Sequence, residues 1–235
     1  MKLTPQLLYK RLFENFGRQH WWPMDKQYHK KNNSDPRFEI IIGAILTQNT
    51  AWSNVEKALY NLKQANKVDI KKISNIDKKK LREMIKPSGF FNQKAERLKN
   101  IASYLQKNYK GDLNNFFNQD LYKIREELLS LNGIGPETAD SILLYAGCKP
   151  IFVVDAYTKR ICKRLPLNTN ISYDEIQEYF QNDISKNYSE KETVQIYNEL
   201  HALIVELAKN YCKKKPECNK CPLKENCNYK FVLFE

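Results

Sequence analysis

The chain has 235 residues, enough for one large domain or two small ones with a real hydrophobic core. Its 39 Lys and Arg against 27 Asp and Glu leave a formal charge of +12, which favours a polyanionic partner, either nucleic acid or an acidic membrane surface. Only 7 Gly and 9 Pro argue against low complexity, and no apolar run approaches the roughly 20 residues of a membrane span. "MKLTPQLLYKRLFENFG" lacks the uninterrupted apolar core of a signal peptide. The expectation is a soluble intracellular protein.

Helical patterning dominates from the start. Leu7, Leu8, Leu12, Phe13 and Phe16 share one face of a first helix that Gly17 stops. "HWWPMDKQYHKKNNSDP" reads as a loop with two tryptophans. From Pro36, "RFEIIIGAILTQNTAWSNVEKALYNLKQ" divides into an apolar helix and an amphipathic one. "DIKKISNIDKKKLREMIKPSGF" predicts a short helix, a turn and a second helix ending before Pro87. Ala95, Leu98, Ile101, Ala102 and Leu105 make "NQKAERLKNIASYLQKNY" amphipathic. "LYKIREELLSL", "YDEIQEYFQ" and "ETVQIYNELHALIVELAKNYC" complete an all-α pattern of around ten helices. "PIFVVDAY" is short and apolar, and fits either a strand or the start of a buried helix. His201 reads as a packing histidine, and the lysine runs at 30–31, 71–72 and 78–80 as solvated faces.

One stretch carries chemistry. "LYKIREELLSLNGIGPETADSILLYA" reads as helix, tight turn, helix. Gly133 and Gly135 can take turn angles that other residues avoid, and without side chains they let a phosphate approach the backbone. Pro136 suits the first turn of the second helix, whose exposed N–H groups and positive dipole end form an anion site. Sequence-independent contact with a DNA phosphate is the natural use, and a plain helical hairpin the bland one. Downstream, "GCKPIFVVDAYTKRI" places a lone carboxylate, Asp155, at the end of an apolar run. This combination resembles the helix-hairpin-helix of the endonuclease III superfamily of DNA glycosylases, over most of the chain from about Trp21 to Cys227.

The resemblance implies two helical lobes. One spans 36–145 and contains the hairpin; the other joins 1–35 to 146–235. It places Asp155 at the family's catalytic position. A glycosylase breaks the bond between a base and deoxyribose, and positive charge builds on the sugar in the transition state. A fixed carboxylate stabilises that charge and can orient or activate the attacking water. Asp155 also stands where a helix N-cap belongs, before "AYTKRI", and both roles can hold. Bifunctional members carry a lysine two residues after the second hairpin glycine; here the residue is Glu137, which cannot form their imine. Lys149, the nearest lysine in sequence, is poorly placed to substitute. The resemblance therefore implies a monofunctional enzyme that leaves an abasic site. Glu137 also suits the dipole of a first helical turn, or could attract a cationic flipped base.

A damaged base must be flipped out and held. All three tryptophans, Trp21, Trp22 and Trp52, lie in the first 52 residues, and indole faces attract cations by about 0.5–2 kcal/mol. Alkylated purines are cationic and leave readily. "WWP", "LTQNT…W" and "KPSGFFNQKAERL" are similar to the 3-methyladenine glycosylases of endonuclease III type, which sandwich the base between aromatics from the first two segments. That likeness implies a base pocket of Trp21, Trp22, Pro23 and Trp52, with Gln48 filling the gap left in DNA. Oxidised pyrimidines or mismatched adenine are the alternative substrates, and a non-catalytic DNA-binding module is the alternative class. The partner implied is duplex DNA met by a monomer in the cytoplasm, at the nucleoid.

Cys212, Cys218, Cys221 and Cys227 cluster near the C-terminus as C-x5-C-x2-C-x5-C. In a reducing compartment such a set reads as a metal site, with zinc the generic occupant. Endonuclease III relatives hold a [4Fe-4S] cluster here, with six residues in the first gap, and the resemblance implies the same cofactor. Its loop would present Lys213, Lys214, Lys215, Lys220 and Lys224 to phosphates. Cys148 and Cys162 read as small buried residues.

Overall fold

A computed structural model describes residues 3–167, 172–227 and 229, and among these the regular structure is entirely helical. The chain divides into two compact units, Met1–Trp21 with Lys149–Glu235, and Trp22–Cys148. It opens with α1 (Pro5–Phe16) in the terminal unit. The central unit holds α2 (Lys26–Asn32), α3 (Pro36–Leu46), α4 (Trp52–Gln64), α5 (Ile70–Asn75), α6 (Lys78–Ile85), α7 (Phe91–Tyr109), α8 (Leu113–Phe117), α9 (Leu121–Leu129) and α10 (Pro136–Ser141). The chain then returns as α11 (Ala156–Arg164), α12 (Tyr173–Ser185) and α13 (Glu190–Asn210).

Many acidic residues of this basic chain are spent on helix starts. Asp25, Asp35, Asp69, Asp77, Asp112 and Asp120 each accept a backbone N–H of the first turn, typically worth about 1 kcal/mol. Gly17 ends α1 at φ +66, as its position in the sequence predicts.

In the central unit α3 is buried from Phe38 to Leu46. It carries one charge inward: Glu39 meets His29 Nε2 at 2.7 Å and Lys63 Nζ at 2.6 Å, and accepts the Asp25 N–H. Burial opposes ionisation of Glu39, but the His29 and Lys63 hydrogen bonds, the Lys63 charge and the Asp25 N–H outweigh it and hold the carboxyl below its ordinary value. This network fastens residues 22–35 to α3. They belong to the central unit, whereas the sequence reading groups them with the other lobe. The segment expected to be a loop contains α2, capped by Asp25 and closed by Asn33 in the left-handed region. The buried Lys94 of α7 donates to Leu46 O at 2.8 Å and Ser88 O at 2.6 Å, setting a cation on the C-terminal end of α3. Burial pulls its pKa down to about 8.

In the terminal unit α13 packs against α1, α11 and α12. Ile151–Val154 are buried but lie outside the helices. The backbone of Phe152 is satisfied by α12: Gln181 Oε1 accepts the Phe152 N–H at 2.9 Å, and Gln177 Nε2 donates to Phe152 O at 2.6 Å. The apolar run is therefore neither strand nor helix. It is an inner connection held by two glutamines and by Phe152 stacked on Phe180 at 4.6 Å. No helix of the described residues is long and apolar enough to cross a membrane.

Candidate active site

The hairpin lies in the central unit between α9 and α10. Ile134 buries the tip, and its N–H donates to Leu131 O at 3.0 Å. Gly133 sits at φ +84, and a Cβ there would fall 2.1 Å from Arg97 Nε. Gly135, at φ −95, uses an angle open to any residue, so of the two glycines Gly133 takes the turn angle that others avoid. A Cβ at Gly135 meets nothing within 4 Å, so its contribution is open space before the exposed Pro136 and Glu137. The helix continues as a wide turn, Ile142–Ala146, of π geometry.

Gln48 lies against this hairpin. Its Nε2 donates to Gly133 O at 3.1 Å and to Thr138 Oγ1 at 2.9 Å, while Arg97 donates to its Oε1. The side chain that the resemblance assigns to the DNA gap thus braces the loop. Filling a gap would require it to exchange these bonds.

Trp22 lies over Gly43 of α3, where a Cβ would come within 3.0 Å of the indole Nε1. It meets Trp52 edge to face at 5.3 Å and Tyr145 at 5.0 Å. The Trp22 and Trp52 rings stand at 84°, perpendicular rather than parallel, and Pro23 beside them is exposed. Tyr145 comes from the wide turn after the hairpin, and its part in the aromatic set has no signal in the sequence beyond residue type. Trp21 belongs to the terminal unit and meets the His201 ring at 5.8 Å, edge to face.

In the terminal unit Asp155 caps α11. Its Oδ1 accepts the Thr158 N–H at 2.7 Å and the Thr158 hydroxyl at 2.8 Å. Its Oδ2 faces His201 Nε2 at 3.6 Å, with the Asp155 side chain 13% exposed. Burial disfavours the anion, but His201 and the two Thr158 donors outweigh burial and hold the carboxyl below its ordinary range. His201 is thus more than packing. The sequence offered it only as a lone histidine on an amphipathic helix, forty-six positions from Asp155.

The far end of α11 grips the cysteine loop. Arg160 Nε donates to Cys212 O at 2.8 Å, and Arg164 Nη1 to Lys213 O at 2.6 Å and to Cys212 Sγ at 3.3 Å. Cys212, Cys218, Cys221 and Cys227 are unbridged thiols around one pocket of about 650 Å³, lined also by Leu207 and Leu223. Burial, and then the neighbouring thiols, push Cys221 and Cys227 up; a metal's positive charge reverses that logic. Among the described residues no three Cys, His, Asp or Glu gather as a set that could hold one ion. Four soft donors spread around a roomy pocket fit a polynuclear centre. Lys213, Lys214, Lys215, Lys220 and Lys224 are all exposed, as is Cys148; Cys162 is buried.

Two helices joined through a glycine tip, followed by a buried connection and a carboxylate at the next helix start, define a helix-hairpin-helix protein. The chain belongs to the HhH-GPD superfamily of base excision DNA repair proteins, whose family model matches residues 42–186. It is similar to MJ1434 of Methanocaldococcus jannaschii, provisionally named a DNA repair glycosylase, at 47% identity over 94% of each chain. Among solved structures it resembles the Helicobacter pylori 3-methyladenine DNA glycosylase bound to 1,N6-ethenoadenine, at 32% identity over 88% of this chain and 98% of that one, with a TM-score of 0.68. The fold also matches an endonuclease III trapped covalently on DNA, with a TM-score of 0.74 at 21% identity over 96% of each chain. The resemblance to the endonuclease III superfamily is borne out.

Proposed function

We propose that this DNA glycosylase hydrolyses the N-glycosidic bond of alkylated purines of the 3-methyladenine kind and leaves an abasic site. The observation that carries the reading is Asp155: a largely buried carboxylate, held as an anion at the start of α11, next in the chain after the hairpin and its buried connection. A carboxylate below its ordinary pKa holds charge better than it takes protons. Its main work is therefore electrostatic, opposing the positive charge that grows on deoxyribose as the bond stretches. The electron pair of the breaking bond goes to a base that is already cationic, which departs neutral. Water adds to the sugar carbon and its proton is lost to solvent.

The substrate class is supported by Trp22, Trp52 and Tyr145, whose ring faces favour a cation, and by the likeness to a 3-methyladenine DNA glycosylase. Glu137 is exposed in the first turn of α10, where an amine nucleophile would otherwise stand, and supports a mechanism without strand cleavage. Gly133, Gly135 and the α10 start hold a phosphate of duplex DNA, with the damaged nucleotide flipped out and the enzyme acting as a monomer wherever the chromosome lies. Cys212, Cys218, Cys221 and Cys227 would hold a [4Fe-4S] cluster. Held by these four thiolates, such a cluster would tie four points of the lysine-bearing loop together.

The test is release of base from methylated duplex DNA, with and without later alkali. Free 3-methyladenine and strand breaks only after alkali are expected, and Asp155→Asn should lower release by roughly 100-fold or more. Nicking without alkali overturns the reading of Glu137. Release of oxidised pyrimidines or mismatched adenine instead overturns the substrate class, and DNA binding without release of any base points to a binding module. A colourless, zinc-containing protein overturns the cluster.

A further inference from the structure

We propose that His201 is a positioning residue for Asp155, with Trp21 packed against its imidazole. The inference rests on Asp155 being the catalytic carboxylate. Two independent elements face the two oxygens of that group. Thr158, on the helix that Asp155 caps, donates twice to Oδ1 at 2.7 and 2.8 Å. Oδ2 has no such donor from its own helix and instead faces His201 Nε2 from α13 at 3.6 Å. A carboxylate held by one oxygen can swing about that anchor. A buried imidazole facing the other oxygen, at a distance just beyond a hydrogen bond, limits that swing, which is what aiming charge at a single sugar atom requires.

The imidazole is itself held. His201 is 5% exposed, and Trp21 stands edge-on to its ring at 5.8 Å and 81°. Trp22 meets Trp52 and Tyr145, and Trp21 meets the imidazole that faces Asp155. Several other ionisable groups on these elements are engaged elsewhere, exposed or neutral. Cys162, two turns along α11 from Asp155, is pushed up to about 12, first by burial and then by Asp155. On α13, Glu199 accepts the Gln19 backbone N–H and Tyr197 donates to Gln181 O. Lys159 of α11 is exposed, and Arg160 is committed to Cys212 O and Ala208 O. His201 is the side chain of α13 that faces Oδ2.

Removing it leaves burial opposed by Thr158 alone, so the carboxyl should titrate at higher pH. In single-turnover release of 3-methyladenine, His201→Ala should lower the rate at saturation roughly 10- to 100-fold with little change in DNA affinity, and should move the acid limb to higher pH. His201→Gln places an amide N–H where Nε2 stood and should restore much of the rate. Trp21→Ala should resemble His201→Ala, and Trp21→Phe the wild type. In an Asp155→Asn background, His201→Ala should add no further loss. A His201→Ala enzyme with wild-type rate and acid limb overturns the proposal. Should Asp155→Asn release base normally, the catalytic reading of Asp155 fails instead. Carboxyl 13C titration of Asp155 gives an answer without turnover: an upward shift in His201→Ala or His201→Gln supports the pairing, and an unchanged titration overturns it.

Discussion

Gly133 shows how one residue can serve backbone and side chain at once. Its φ of +84 suits glycine, and the absent Cβ lets Arg97 lie against the loop and reach Gln48. Gly133→Ala must both strain the backbone and expel Arg97, so it should cost about 1–3 kcal/mol in urea unfolding and weaken binding to abasic-site DNA. Gly135→Ala meets open space at an ordinary angle. It should leave stability within about 0.5 kcal/mol while still weakening DNA binding, because the methyl group stands where a phosphate would approach. The sequence made the two glycines look alike, since a dihedral angle is not written in a residue name. Their different environments follow from where Arg97 of α7 happens to pack.

At the scale of elements, α3 is the frame of the central unit. Its Gly43 lets the Trp22 ring approach the helix closely, and Gly43→Ala brings a methyl within 3.0 Å of it. The substitution favours the helix itself. It should therefore preserve the melting temperature while shifting tryptophan fluorescence and slowing base release roughly tenfold. Glu39, on the same helix, holds residues 22–35 in place. Its folded pKa lies below the ordinary 4.5, so its stabilisation is complete above that value and is lost as pH falls through the lower folded value. Glu39→Gln should cost about 3–5 kcal/mol at neutral pH, by leaving His29 and Lys63 without their anion, and should flatten the decline in stability on the acid side. Chemical unfolding between neutral pH and pH 3 measures both. The apolar helix was plain in "FEIIIGAIL", but the glutamate within it gave no sign of its partners, which come from α2 and α4.

For the whole molecule, the excess of positive charge should appear as salt dependence. The logarithm of DNA affinity should fall linearly with the logarithm of salt concentration, and replacing Lys213, Lys214 and Lys215 by Ala should reduce that slope by about 0.9 for each lysine that meets a phosphate. If these lysines are only a solvated surface, the slope will not change. Arg160 and Arg164 link the loop to the helix that Asp155 begins, so loss of the cysteine site should also lower base release without touching the carboxylate directly.

The all-helical class, the hairpin, the cysteine quartet and the singular position of Asp155 could be read from sequence, because periodicity, glycine spacing and thiol spacing are local properties of the chain. The aromatic pairing, the brace from Gln48 to the hairpin, the buried connection carried by Gln177 and Gln181, and the histidine facing Asp155 could not. Each joins residues far apart in sequence, and side chains of suitable type occur in many places along the chain. Packing decides which of them meet, because a close contact or a buried charge is tolerated only where the surrounding helices supply its partner.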